Sequence, residues 1–362
     1  MHSVICIWNI TFNKKMNVKD RIVNKLFKKN KYLRVDKFIN ECLHEKNSYY
    51  KINNPIGKNH DFITAPEISQ MFGEIIGLYI IDYWIKKIKS HFNLIELGPG
   101  NGTLLKDIIR VSKINPNFLN YSNITLIDKN YNLIKIQKEA LNSLKINKIK
   151  WAKEFSLSST LPSIIYSNEF FDCFSIRQFY KKKHWLEKYV SYHSSENRFS
   201  FIDKKIINIK LLKKLEKFER NGVAEISKER GEVFNKLCKH ISNNKGIIIT
   251  IDYGYDQSLN NFSLQSIFKH KKTHLFDNIG KQDITSLVNF DELKGIAKLN
   301  NLKIDIYCSQ KDFLISNGIN DRKKILKKNS PLQKQKKIEE EYKRLIGEKQ
   351  MGNFKVLVVS TK

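Results

Sequence analysis

The spacing of apolar positions changes period several times along the chain, and each change predicts an element. Between residues 17 and 90 the spacing is helical, with apolar side chains three and four apart in Arg21–Phe27, Val35–Leu43 and Ile68–Ile88. The polar run Tyr49–Pro66 interrupts it and holds Pro55, Gly57 and Pro66, so it reads as a loop. From 92 to 172 the pattern alternates strand, helix, strand, helix, strand, strand, the order of a parallel, doubly wound α/β sheet. Then the period breaks. His184–His193 and Asn197–Ile202 read as an exposed hairpin, and Ile206–Phe218 as a basic amphipathic helix. An apolar run resumes the sheet at 246–254. Leu302–Leu314 and Asn353–Ser360 read as the last strand pair, flanking a charged helical stretch, Arg322–Leu345. The predicted organisation is a tail (1–16), an N-terminal helical region with a ligand-facing loop (17–90) and an α/β domain assembled from 91–179, 241–315 and 352–362. An insertion (180–240) and a charged helical segment (316–351) complete it.

Within the first strand unit lies Leu94-Ile95-Glu96-Leu97-Gly98-Pro99-Gly100-Asn101-Gly102-Thr103. A buried-strand pattern enters three glycines at alternate positions and leaves as a helix. Such a turn lets a ligand approach the backbone and aims helix N–H groups at it. The spacing departs from the dinucleotide pattern G-x-G-x-x-G, because the third glycine comes one residue early and an acid, Glu96, sits on the strand. A carboxylate there suits an amino-acid ammonium better than a pyrophosphate. The combination points to S-adenosyl-L-methionine (SAM), with Gly98, Gly100 and Gly102 shaping the turn and Glu96 taking the ammonium.

Three further apolar runs end in carboxylates. Ile124-Thr125-Leu126-Ile127-Asp128 places Asp128 26 residues beyond Gly102, near the spacing at which a strand-end acid holds ribose hydroxyls. A surface acid opening the helix Asn132–Leu144 is the plainer alternative, but the place of Asp128 at the carboxyl end of a strand favours ribose binding. Ser163–Asp172 and Gly246–Gly254 end in Asn168, Glu169, Asp172 and Asp252. Open α/β sheets bind ligands at the carboxyl ends of their strands, so four such tips predict a lined crevice.

Four segments together resemble the mitochondrial dysfunction protein A family of SAM-dependent methyltransferases. They are Asp61-Phe62-Ile63-Thr64-Ala65-Pro66-Glu67-Ile68-Ser69-Gln70-Met71-Phe72-Gly73-Glu74, Glu96 to Thr103, Asn168-Glu169-Phe170-Phe171-Asp172 with Arg177-Gln178-Phe179, and Ile251-Asp252-Tyr253-Gly254. Weaker echoes are Tyr49-Tyr50, Glu225-Ile226-Ser227, Leu264-Gln265-Ser266, and Asp283-Ile284-Thr285 with Val288-Asn289-Phe290. The resemblance runs in order over residues 35–360. It departs at His60, where the family has glycine, at Asn47-Ser48 before the tyrosine pair, and at Leu287 and Asn289, where the family has histidine and aspartate.

It implies a seven-stranded class I fold, SAM as cofactor, and transfer of a methyl to an arginine of a respiratory complex I subunit during assembly. A guanidinium stays protonated up to a pKa above ~12, so it needs carboxylates to orient it. Glu169, Glu67, Asp172 and Asp252 are the candidates. Asn168 and Thr64 would face the cofactor. Glu67 follows Pro66 and is equally explained as a first-turn helix acid favoured by the dipole. Two other readings stay open: a methyltransferase for nucleic acid or a small molecule on the same fold, and a non-catalytic assembly chaperone that keeps a SAM pocket.

Net charge is +29, which raises the question of nucleic acid. Lysine outnumbers arginine 56 to 9, with abundant Asn and Ile, which is the signature of A/T-rich codons. Arginine is the residue suited to bidentate phosphate and guanine contacts, so no nucleic-acid partner is expected. Cys6, Cys42, Cys173, Cys238 and Cys308 are scattered, odd in number and without Cys-x-x-Cys spacing, which predicts a reducing compartment. His270 and His274 are four apart without the following Glu of a zinc motif, so no metal site is expected. No apolar run is long enough to span a bilayer. The first 19 residues lack an acid but also lack arginine, and Met16 offers a second start. This favours a bacterial-type cytoplasmic protein, the mitochondrial matrix being the alternative. A homodimer is left open.

Overall fold

The computed structural model describes residues 16–362 except 30, 53–55, 58–60, 145, 147–148, 157 and 219–221. Cys6, Pro55, His60 and nearly all of the tail lie outside the described residues. The central sheet has seven strands: β1 (Phe92–Leu97), β2 (Ser122–Ile127), β3 (Ile149–Ala152), β4 (Ser163–Asn168), β5 (Gly246–Asp252), β6 (Lys303–Ser309) and β7 (Lys355–Ser360). Their spatial order is β6-β7-β5-β4-β1-β2-β3. Six run in one direction, five of them paired directly in parallel, and β7 alone runs antiparallel, between β5 and β6. The chain winds outward from β1 through β2 to β3, then restarts on the other side of β1 with β4. That reversal makes the carboxyl ends of β1 and β4 the place where an open sheet of this kind holds its ligand.

β1, β4 and β5 are buried along their whole length, which explains their near-continuous apolar runs. On one face pack α2 (Gln70–Tyr83) and α3 (Thr103–Val111), with Phe313, Leu314, Ile338 and Leu345 from the C-terminal helices. On the other pack Phe234, Leu237 and Ile241 of α5 (Lys228–Asn244) and Phe290, Leu293 and Ala297 of α6 (Phe290–Leu299). The remaining two labelled helices are α1 (Val35–Leu43) and α4 (Tyr131–Asn142). α2 is rich in isoleucine, which disfavours helix by a few tenths of a kcal/mol per residue. It forms because Met71, Phe72, Ile75, Ile76, Ile80 and Ile81 are buried, each contributing about 1.5–3 kcal/mol.

Several boundaries differ from the sequence reading. Ile68–Ile88 is not one helix. Ser69 is extended (φ −156°, ψ 138°) and its hydroxyl caps α2 at Met71 N, so Ala65–Ile68 forms a separate turn. The Tyr49–Pro66 loop contains a short helix, Tyr49–Ile52. Strand β6 stops at Ser309, whose hydroxyl caps the helix Gln310–Ser316. The charged stretch is two helices, Ile319–Lys328 and Leu332–Ile346, because Pro331 ends the first and precedes the second.

The inserted segment builds a second sheet from Arg177–Lys181, Trp185–His193, Arg198–Lys205 and Val223–Ile226, and Tyr32–Arg34 joins it from the N-terminal region. Val35, Phe38 and Ile39 share a core with Ile176, Val190, Phe199 and Ile284, so the N-terminal helices and the insertion form one layer. α5 packs on the central sheet, which ends the insertion before residue 228 rather than at 240. Among the described residues no helix is long and apolar enough to cross a membrane.

Candidate active site

Gly98 (φ 62°) and Gly100 (φ 55°) take the left-handed backbone that costs other residues roughly 1–2 kcal/mol. A Cβ at Gly98 would stand 2.7 Å from the Phe170 ring. The Gly98 amide donates to the Ile127 carbonyl at 3.0 Å, so the turn is tied to the end of β2. A cavity of about 630 Å³ opens beside it, within the range of small-molecule sites. Gly102 caps α3 but does not line the cavity. It lies against Gln137 and Leu141, where it shapes the helix entry from behind.

The inner wall carries four carboxylates, Glu67, Glu96, Asp128 and Glu169, all buried or half-buried. Its lysines, Lys51, Lys129 and Lys153, are exposed at the rim, mixed with Glu45, Glu154 and Glu229. A chain of net charge +29 thus presents an interior lined by acidic groups, a setting for a cationic ligand whose charge favours their ionised form.

Glu96 is 3% exposed and accepts from the Tyr166 hydroxyl at 3.1 Å. Burial, with a smaller push from Asp128, raises its pKa to about 8. Asp128 accepts from Asn130 N at 2.8 Å on one oxygen and from Gln137 Nε2 at 2.8 Å on the other. Burial raises its pKa as well, against the pull of those donors. Thr64 and Glu67 bring the N-terminal region to the same cavity. The Thr103 hydroxyl, at the start of α3, donates to Glu67 Oε1 at 2.5 Å.

Beyond β4 the chain turns sharply. Glu169 is left-handed (φ 51°), a strained position for a residue other than glycine, and its amide donates to the Ile251 carbonyl at 2.9 Å. Its Oε1 accepts from Ala65 N at 3.2 Å and Asn168 Nδ2 at 3.0 Å. Burial first, and the Asp172 carboxylate second, raise its pKa to about 8. Asn168 Oδ1 is buried with no hydrogen-bond partner, an acceptor left for a ligand on this wall.

Asp172 and Asp252 do not reach the cavity wall, contrary to the expectation that they orient an acceptor. Asp252 is fully buried. Its Oδ2 accepts from Phe171 N at 2.9 Å and Asp172 N at 3.3 Å, and its Oδ1 from Tyr253 N at 2.9 Å. Asp172 accepts from the Tyr253 hydroxyl. The buried Arg230 guanidinium donates to the Phe171 carbonyl at 2.8 Å. These groups hold the loop that presents Glu169.

Several residues of the site carried little or no sequence signal of their own. His44 lines the cavity, its Nε2–H donating to the Cys173 carbonyl at 3.2 Å, and burial lowers its pKa to about 4. Gln137 is an interior helix position indistinguishable in sequence from a surface one. Tyr50 lines the cavity and donates to Asp283 Oδ1 at 2.7 Å. Of these, only Tyr50 was foreshadowed, by the tyrosine pair.

These shifts set a pH dependence. Between pH 6.5 and 8 the folded chain keeps protons on Glu96 and Glu169 that the unfolded chain has already lost. Stability of the ligand-free protein is therefore expected to fall as pH rises through this interval, by up to ~1.4 kcal/mol per pH unit for each retained proton. His44 acts on the acid side, below 6.5, and does not oppose it. Urea melts at the two pH values check this; stability that rose would mean both carboxyls are already ionised.

Known proteins resemble this chain in sequence and in fold. Residues 75–308 match the family model Methyltransf_28, which describes S-adenosyl-L-methionine-dependent methyltransferases. The protein arginine methyltransferase NDUFAF7, mitochondrial, of Rattus norvegicus is 29% identical over 302 residues, covering 77% of this chain and 69% of the relative. Its Caenorhabditis elegans homolog is 29% identical over 319 residues, covering 81% and 73%. A COG1565 superfamily member from Burkholderia thailandensis, solved bound to S-adenosyl-homocysteine, superposes with a TM-score of 0.82 at 19% identity, covering 95% of this chain and 91% of that one. That last likeness is one of fold.

Proposed function

Because the chain belongs to the Methyltransf_28 family of S-adenosyl-L-methionine-dependent methyltransferases, we propose that its methyl acceptor is an arginine side chain of a protein, with a respiratory complex I subunit as the substrate. The observation that carries this reading is the acidic interior of the cavity, which suits a guanidinium as well as SAM. The relatives named protein arginine methyltransferases support the acceptor class. Their mitochondrial names favour the matrix over the cytoplasm.

The residues fit SAM: a glycine cradle that a Cβ would fill, an unpartnered Asn168 Oδ1, and carboxylates for an ammonium and a ribose. When bound, SAM supplies an electrophilic methyl on a sulfonium. In this reading Glu96 holds the ammonium, Asp128 the ribose hydroxyls, and Gly98 and Gly100 admit the methionine chain. Thr64 and Glu67 close the wall beside the glycine turn; the bond from Thr103 supports a role for Glu67 on the cofactor side rather than at the acceptor. Glu169 orients the guanidinium and takes its proton, its raised pKa bringing it near the working pH. Asp172, Asp252 and Arg230 position Glu169. Such alignment of reactants is worth ~7–11 kcal/mol.

The test is methylation by the purified protein of complex I subunits and of arginine peptides from them, with isotope-labelled SAM and mass spectrometry to place the label. Label on arginine is the expected outcome. Label on another side chain or on nucleic acid only would overturn the acceptor assignment.

A further inference from the structure

One buried side chain touches both halves of the cofactor wall. Gln137, on α4, is fully buried. Its Nε2 donates to the Gly100 carbonyl at 2.9 Å and to Asp128 Oδ2 at 2.8 Å. Its Oε1 accepts from the Trp151 indole N–H, on β3, at 3.1 Å. The amide orientation is set by its partners: the indole only donates, and the carbonyl only accepts. Every hydrogen of the amide is used, and a buried amide with three partners from three segments has no second orientation that satisfies them.

We propose that Gln137 is a positioning residue for the cofactor, holding the Gly100 carbonyl and the Asp128 carboxylate at one spacing so that the methionine and ribose halves of SAM are bound as a unit. The proposal rests on the reading that Asp128 takes the ribose. Asp128 has one oxygen held by Asn130 N and the other by Gln137, which aims both remaining lone-pair faces. Loss of the amide frees the carboxylate to rotate, removes a donor that favours its ionised form, and unties the glycine turn from α4. A merely structural Gln137 would lower stability and leave the affinity of the folded protein unchanged.

The test titrates S-adenosylhomocysteine into the full chain by calorimetry, with melting curves in parallel. Gln137→Met keeps the volume and removes every donor; affinity is expected to fall about 10-fold or more. In an Asp128→Ala background the same change should weaken binding by less than about 3-fold, because coupled residues are not additive. Gln137→Glu adds a readout that packing does not move. Its protonated carboxyl can donate to Asp128 and its ionised form repels it, so affinity should drop more steeply with rising pH than in the parent protein. Gln137→Met binding within about 2-fold of the parent, or full multiplication of the two effects, overturns the proposal. If Gln137→Met does not fold, a parent-like pH profile for Gln137→Glu overturns it. Normal binding by Asp128→Ala alone would instead bring down the ribose reading, and the proposal with it.

Discussion

Glu169→Gln is expected to reduce turnover by about 100-fold or more while SAM affinity stays nearly unchanged. Glutamine keeps the size of the side chain and an oxygen for Ala65 N and Asn168 Nδ2, so the loop after β4 should hold its conformation. What it removes is the charge and the proton acceptor. The free-enzyme carboxyl titrates near pH 8, so kcat/KM of the parent should rise with pH up to that region. The variant should lack this limb. The two measurements are SAM titration and methyl incorporation into an arginine substrate across pH 6 to 9. Normal turnover would end the guanidinium role. Loss of SAM binding together with activity would place Glu169 on the cofactor wall.

Asp128→Ala is expected to weaken SAM binding about 10- to 100-fold, from ~1.5–3 kcal/mol for hydrogen bonds to a charged group. The carboxylate sits at the end of β2, half-buried on the cavity wall, with one oxygen held by Asn130 N and the other by Gln137 Nε2. Its removal leaves Gln137 with the Gly100 carbonyl and the Trp151 indole, so the pocket should stay assembled and the melting temperature should move little. Calorimetry with SAM decides it. Equal affinity in parent and variant would mean that the ribose lies elsewhere.

The strand–turn–helix around residues 92–111 was legible in sequence because its signals are local: an apolar run, left-handed positions that call for glycine, then a helical period. The strand-end acids were legible for the same reason, since period and strand termini place a residue at a sheet edge without any knowledge of its neighbours. That sufficed to bring Glu96, Gly98, Gly100 and Asp128 to the wall of one cavity, the one we propose for SAM. It did not suffice to say which of Glu169, Asp172 and Asp252 faces the cavity. That choice depends on hydrogen bonds between distant segments: Phe171 N to Asp252, 81 residues away, and Glu169 N to the Ile251 carbonyl. These bonds set the left-handed turn that carries Glu169 out to the cavity while Asp172 and Asp252 are spent inside. The same is true of Gln137, whose three partners come from β3, the glycine turn and the end of β2, and of Tyr32–Arg34, which joins a sheet formed some 150 residues later. Local pattern determined which chemistry the chain holds at its strand ends; only tertiary pairing decided which of those groups a ligand can reach, because orientation is set by partners that lie far off in sequence.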